Sequence, residues 1–111
     1  MERTVTRRGI ERRYRHLGVS DVAAPDGWLH LVEDCLAEID RHTPEEERGA
    51  VRVADIKEKH GSLRIYVHAG DWADDICDLF ESMSEHTCAG CGAYVEREAL
   101  LCDDCKAKRR R

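Results

Sequence analysis

An α+β fold is predicted for this chain, arranged as a small helix–hairpin–helix layer with a compact C-terminal module. Three observations predict it. Apolar residues recur at helical spacing in two stretches, period-two alternation fills the stretch between them, and four of the six cysteines fall as two C-x-x-C pairs near the C-terminus. With 111 residues there is room for one ordinary domain, or one small core with an appended module, and not for two large domains. Charged residues make up 37% and apolar residues 41%, with one Phe, two Trp and three Tyr, so the core is aliphatic, modest and in need of a staple.

Each element follows from local pattern. Ile10, Tyr14 and Leu17 at i, i+4 and i+7 predict a short helix over about residues 8–17, with arginine on its other faces and Gly18 as its stop. Helices this short are marginal alone, so residues 1–24 are read as a basic N-terminal segment whose order the sequence leaves open. Asp26 is placed as the N-cap of a helix whose apolar stripe is Trp28, Leu29, Val32, Cys35, Leu36 and Ile39. His42, Thr43 and Pro44 stop it, and Glu45–Glu47 is a solvated loop or first turn. Val51 and Val53, then Leu63, Ile65 and Val67, each share a strand face on either side of a polar turn from Lys57 to Ser62. This antiparallel hairpin puts Arg64, Tyr66 and His68 on its outer side. Asp71 then caps a helix carrying Trp72, Ile76, Leu79, Phe80 and Met83, up to about Glu85. Residues 25–87 thus form the α+β core, and residues 88–111 form the final module.

That module reads Cys88-Ala-Gly-Cys91, Gly92, nine further residues to Leu101, then Cys102-Asp-Asp-Cys105. Two C-x-x-C units let each pair grip one edge of a metal ion, and four thiolates complete a tetrahedral zinc shell. The spacing predicts one structural zinc held by Cys88, Cys91, Cys102 and Cys105, with no open position for catalysis. Gly92 suits a knuckle that needs positive φ, and the second pair opens onto a possible final helical turn, so the module is treble-clef-like. Set against this are four free or redox-active thiols, but tandem pairs beside no βαβ pattern do not fit a thioredoxin-type site. Cys35 and Cys77 lie in or beside apolar helical stripes and read as buried free thiols rather than ligands, with a disulfide between them as the alternative. His86 could replace a lost ligand, yet as a cation at a helix C-terminus it already has a role.

The segments DGWLHLVEDC (Asp26–Cys35), VADIKEKHGSLRIYV (Val53–Val67) and SEHTCAGCG (Ser84–Gly92) together resemble a family of small uncharacterised proteins of bacteriophages, prophages and bacteria. Its pattern is D-G-W, then I-K-E-K-F-G-T-L-R-F-Y, then S…T-C-x-x-C-G, in the same order and with similar spacing. The likeness covers roughly residues 25–92. His60 stands where an aromatic is usual, Ser62 where Thr is usual and Ile65 where Phe is usual. The resemblance implies a phage or bacterial origin and a zinc-knuckle domain, and no activity. It does not extend to the arginine-rich start or the Cys-Asp-Asp-Cys ending. Transcription regulators whose C-x-x-C-G finger follows a long coiled-coil hairpin look similar only at the first cysteine pair, since both helices here are short.

Charge bears on partners. Residues 1–16 carry six Arg against two Glu and residues 105–111 carry five cations and no acid, while residues 17–104 hold 7 basic against 21 acidic residues, or −14. A net charge of −5 therefore conceals a basic–acidic–basic chain. The start lacks the apolar run of a signal peptide and no stretch reaches the ~18 apolar residues of a membrane helix, so a cytoplasmic location, in a bacterial host, is expected. Inside the acidic middle, Lys57, Lys59, His60, Arg64, Tyr66 and His68 form a candidate partner-binding patch, with Arg64 able to grip phosphate and Tyr66 to stack on a base; the alternative is a solvated sheet face. Arg7, Arg8, Arg12, Arg13 and Arg15 at one end, and Lys106, Lys108, Arg109, Arg110 and Arg111 at the other, are candidate nucleic-acid tails or else solubilising ones.

An enzyme is not expected. The metal-dependent nucleases of the His-Asn-His type need a histidine on the finger hairpin, and residues 92–101 contain none. Neither a Gly-rich phosphate loop nor G-x-S-x-G occurs, and no small-molecule substrate is evident. The sequence therefore predicts a non-catalytic, zinc-stapled binding protein, a phage-type modulator of a host protein complex such as transcription or defence machinery. A host or phage protein stands ahead of nucleic acid as partner, given the acidic body. The alternative is a nucleic-acid-binding accessory protein using the finger, the basic hairpin turn and the termini; a small nuclease or other enzyme comes last.

Overall fold

Helix α1 (Arg7–Arg13), helix α2 (Leu29–His42), strands β1 (Arg52–Lys59) and β2 (Ser62–His68), helix α3 (Asp71–Ser84) and helix α4 (Asp103–Arg109) follow one another in a computed structural model that describes residues 5–96 and 100–109. Arg110, Arg111 and the side chain of Arg109, three of the cations expected in the basic tail, lie outside the described residues. The class is α+β, as expected, with one antiparallel two-stranded sheet.

Residues 5–24 of the N-terminal segment contribute to the core. Thr6 caps α1 by accepting from the Gly9 N–H at 3.0 Å, and Gly18, at φ 84°, ends the following turn in the left-handed region. Ile10, Tyr14 and Leu17 are buried as their spacing predicts, and Val19, Val22 and Ala24 join them. α2 buries a wider face than one stripe, with Leu31 added to the expected Leu29, Val32, Cys35, Leu36 and Ile39, in one cluster with Ile10, Tyr14 and Leu17 from the N-terminal segment. Each such fully buried aliphatic side chain contributes about 1.5–3 kcal/mol. Asp26 does not cap α2. It begins a short 3-10 turn through Trp28 and pairs with Arg7 instead.

The hairpin turn is shorter than expected. β1 runs to Lys59, and only His60 and Gly61, at φ 55° and 80°, form the turn, with the Gly61 N–H donating to Glu58. Glycine and asparagine are the usual signals for two left-handed residues in succession, and histidine in the first position hid this one. Ala54 forms a bulge between Val53 and Asp55, which lets both Val53 and Ile56 face inward.

Both sheet edges are covered. The Ala23 N–H donates to the Ile56 carbonyl at 3.1 Å along the outer edge of β1. Along β2, the Leu63 N–H donates to Ser84 Oγ at 2.9 Å and the Ile65 N–H to Glu81 Oε2 at 3.0 Å. These two α3 side chains do the work of a third strand. They also set the rotation of the helix. The residues facing inward are Ala73, Cys77, Phe80 and Ser84, whereas Leu79 and Met83 of the expected stripe are exposed. The two stripes have identical spacing, offset by one residue, so periodicity could not separate them. Nor does Asp71 act as the cap; it is the first helical residue, after Gly70.

Ser84 is buried and bridges the Leu63 N–H to the Glu81 carbonyl. Ser84→Ala strands a buried backbone donor, and a loss of about 1–3 kcal/mol is expected in denaturant unfolding. Stability equal to the parent chain would show that the β2 edge does not depend on this hydroxyl.

Candidate metal centre

Cys88 sits just beyond the end of α3, where the chain reverses. Thr87 bridges to Tyr94, the Cys88 N–H donates to the Ala93 carbonyl at 2.7 Å, and the Gly92 N–H returns to the Cys88 carbonyl at 2.8 Å. Gly92 takes φ 83°, the left-handed conformation expected of it, and a Cβ there would lie 3.0 Å from the Gly27 carbonyl oxygen. The Ala89 N–H donates to the Leu100 carbonyl at 2.7 Å and brings the second pair alongside the first. Cys102 precedes α4, accepting from the Lys106 N–H, and Cys105 lies in its first turn.

The four sulfurs lie within 4.8 Å of one another, close enough to hold a metal ion. Those of Cys91 and Cys102 are 3.8 Å apart, the edge of a tetrahedron whose metal–sulfur bonds are about 2.3 Å long. Cys88 is buried, Cys91 exposed, and Cys102 and Cys105 half-buried. Cys88 Sγ accepts from the Gly90 and Cys102 N–H groups at 3.3 and 3.2 Å. Burial pushes the Cys88 thiol up, but backbone donors from Cys102, Cys91 and Gly90 outweigh it and bring the group down to about 6. Cys105 is pushed up to about 12 by its contacts with the Cys88 and Cys102 sulfurs, then by burial. Cys91 gains from the Ala93 N–H, yet the neighbouring Cys88 sulfur, burial and Cys102 hold it above its ordinary value. Backbone donors thus favour the thiolate at Cys88 while neighbouring sulfurs disfavour it at Cys91 and Cys105; a bound dication would favour the thiolate form of its ligands.

The sign of the pH dependence follows. Cys91 and Cys105 must lose protons when a metal binds, so affinity falls as pH is lowered. Calorimetry near neutral pH, in buffers of different ionisation enthalpy, is expected to show release of at least two protons per metal. Release of fewer than one would contradict a thiolate cluster of this kind.

The centre is clamped to the core by two residues that spacing alone did not connect to it. The Gly27 N–H donates to the Ala89 carbonyl at 2.7 Å, and the buried Trp28 indole N–H donates to the Thr87 carbonyl at 2.8 Å. A Cβ on Gly27 would lie 2.1 Å from the Cys88 oxygen. His86 stays out of the sulfur cluster; its Nδ1 meets the Val95 carbonyl at 3.1 Å and its ring stacks on Tyr94. Cys35 and Cys77 are buried free thiols, as expected, and face each other between α2 and α3, where their mutual hydrogen bond and burial push Cys35 far up.

Lys57 and Arg64 pair across the strands, on the same face as Tyr66. Lys57 lies 5.5 Å over the Tyr66 ring and 3.3 Å from Asp55, and Arg64 pairs with Glu81. Lys59 and the turn residue His60 lie at one end of the hairpin and His68 at the other, so the two imidazoles are not brought together. Of the five N-terminal arginines, Arg7 pairs with Asp26 and Arg13 with Glu33, while Arg8, Arg12 and Arg15 are exposed and pair with no described carboxylate. Lys106 and Lys108 are exposed on α4, away from these arginines in sequence. Among the described residues no helix is long and apolar enough to cross a membrane.

Compared with family models, curated proteins and solved structures, the chain matches none.

Proposed function

We propose that Cys88, Cys91, Cys102 and Cys105 hold one structural zinc ion in a treble-clef-like finger, and that the chain is a non-catalytic binding protein whose partner is another protein. Four sulfur ligands favour zinc among common divalent ions and fill its coordination shell, leaving no position for water or substrate. A tight knuckle, a returning segment and a helix that carries the last ligand are the parts of a treble clef. On this reading the chain is a phage-type modulator of a host protein complex such as transcription or defence machinery; the resemblance itself implies the zinc knuckle and no activity.

The observation that supports the protein-partner reading is the sign of the body, 7 basic against 21 acidic residues over residues 17–104, in which Lys57 and Arg64 face carboxylates of the protein itself. Arg7 and Arg13 in the basic start are likewise paired, with Asp26 and Glu33. A surface of that sign repels a polyanion and complements a basic protein groove. One feature favours nucleic acid as a second reading: Arg8, Arg12 and Arg15 recur at i, i+4 and i+7, an exposed cationic stripe.

Purification of the tagged chain from its host, with and without nuclease, separates the two. The protein reading expects a protein that stays bound after nuclease treatment, and native mass spectrometry expects one zinc per chain. Nucleic acid as the sole companion, bound with an affinity that falls steeply with salt, would overturn the protein reading.

A further inference from the structure

One set of large apolar side chains is left outside the core. Leu79 and Met83 on α3 are 60% and 43% exposed, and Tyr94 from the finger is 73% exposed. They line a single groove of about 390 Å³ between α3 and the finger, with His86 at its side. Isolated exposed apolar residues are ordinary, but a contiguous set lining one groove marks an interaction site.

The groove is preformed. Its α3 wall is fixed to β2 through Ser84 and Glu81. Its finger wall is fixed by the Thr87–Tyr94 bridge, by the Val95 N–H donating to the His86 carbonyl at 2.9 Å, and by the His86 ring stacked on Tyr94 at 6.0 Å. Met83 supplies an adaptable thioether surface between them. Along α3 the same face continues with Asp75, one turn before Leu79, and Asp78 flanks it on the side toward the cleft against β2. Both carboxylates are exposed, and neither forms an ion pair among the described residues.

We propose that this groove docks a basic amphipathic segment of a partner protein, with aliphatic side chains between Met83 and Tyr94 and Lys or Arg one turn away against Asp75 and Asp78. The proposal rests on the protein-partner reading above and names the chemistry of that partner. Charge complementarity selects the occupant. A phosphate backbone would meet Asp75 and Asp78 beside the groove, neither of them in an ion pair among the described residues. A second copy offers α1 as its basic helix, but the apolar residues of α1 and its extension, Ile10 and Tyr14, are already buried, so it would bring cations without anchors.

The test titrates the full metal-loaded chain with a designed Leu/Lys peptide of about 15 residues patterned as an amphipathic helix. A Leu/Glu peptide of the same pattern and a shuffled Leu/Lys peptide serve as comparisons. Only the patterned Leu/Lys peptide is expected to bind, perturbing the amide resonances of Leu79, Met83 and His86. Leu79→Asp, and separately Asp75→Lys with Asp78→Lys, are each expected to weaken it by at least about tenfold, the charge reversal also flattening the salt dependence. Ala50→Ser, in the exposed connection before β1, is expected to change nothing. Each variant alters an exposed side chain, and unchanged circular dichroism and metal content confirm its fold. Equal binding of the shuffled peptide, or unchanged binding by Leu79→Asp, overturns the proposal, as does a dimer that Leu79→Asp abolishes. Copurification separates the two levels of inference: a protein still retained by Leu79→Asp removes the groove and leaves the protein-partner reading, whereas nucleic acid as the only companion removes both.

Discussion

Gly27→Ala is expected to cost about 3 kcal/mol or more of stability and to lower metal affinity with it. The added methyl would stand 2.1 Å from the Cys88 carbonyl oxygen, 2.6 Å from the Ala89 carbonyl carbon and 2.7 Å from its oxygen, all backbone atoms of the first knuckle. No side-chain rotation relieves that overlap. Either the 3-10 turn before α2 withdraws, breaking the 2.7 Å Gly27–Ala89 hydrogen bond, or the knuckle shifts and carries Cys88 with it. Overpacking of a close-packed site costs about 1–3 kcal/mol where neighbours can yield, and more where they are main chain. Thermal unfolding and competition with a metal chelator measure the two losses on one sample. A variant matching the parent chain in both would mean that turn and knuckle do not touch.

Removal of the metal, or Cys88→Ser, is expected to melt the finger while leaving a weakened core. The sequence between Cys88 and α4 buries little apolar surface of its own, contributing Ala89 to the core with Leu101 packed against it. The main body of that core, from Ile10 through Phe80, is drawn from residues before the finger. Its coupling to the metal runs through two donors, the Gly27 N–H and the Trp28 indole, whose acceptors are the Ala89 and Thr87 carbonyls. If both lose their partners while buried, at about 1–3 kcal/mol each, the core loses about 2–6 kcal/mol. Hydrogen exchange should then show protection lost from residue 88 onward and retained, at reduced level, in α2 and the hairpin. Identical exchange and unfolding with and without chelator would show that the metal staples nothing.

The sulfur set was legible because its chemistry is local: each C-x-x-C pair is a self-contained half-site, and the sequence needs only to bring two such halves together. The α2 stripe was legible for the same kind of reason, since Trp28, Val32, Cys35, Leu36 and Ile39 recur on one helical face whatever packs against them. What escaped notice depends on partners distant in the chain. The rotation of α3 is decided by Ser84 and Glu81 bonding to β2, a polar preference that a hydrophobic period cannot register. The place of residues 5–24 depends on Ile10, Tyr14 and Leu17 joining a cluster whose other members lie far along the chain. Asp-Gly-Trp and Thr-Cys-x-x-Cys-Gly stood out as separate motifs, and only the fold shows them to be the two halves of one contact. The single available cue was a glycine directly before a tryptophan at the mouth of a helix, where a cap alone would not demand either.

The indole–carbonyl clasp also has a consequence in time. Trp28 leaves the ribosome early, but its acceptor, Thr87, follows fifty-nine positions later, and the last ligand, Cys105, later still. α1, α2 and the hairpin can collapse as they emerge, yet the centre of their core carries a donor with no acceptor until Thr87 has been made. Such long-range closure is slow relative to local helix formation. With the proposed metal, the nascent chain would pass through a stage in which a folded but unlatched core waits for residues 87–105 and for the ion. A shortage of the ion would leave that stage exposed to proteases and tie cellular abundance to metal supply as well as to synthesis.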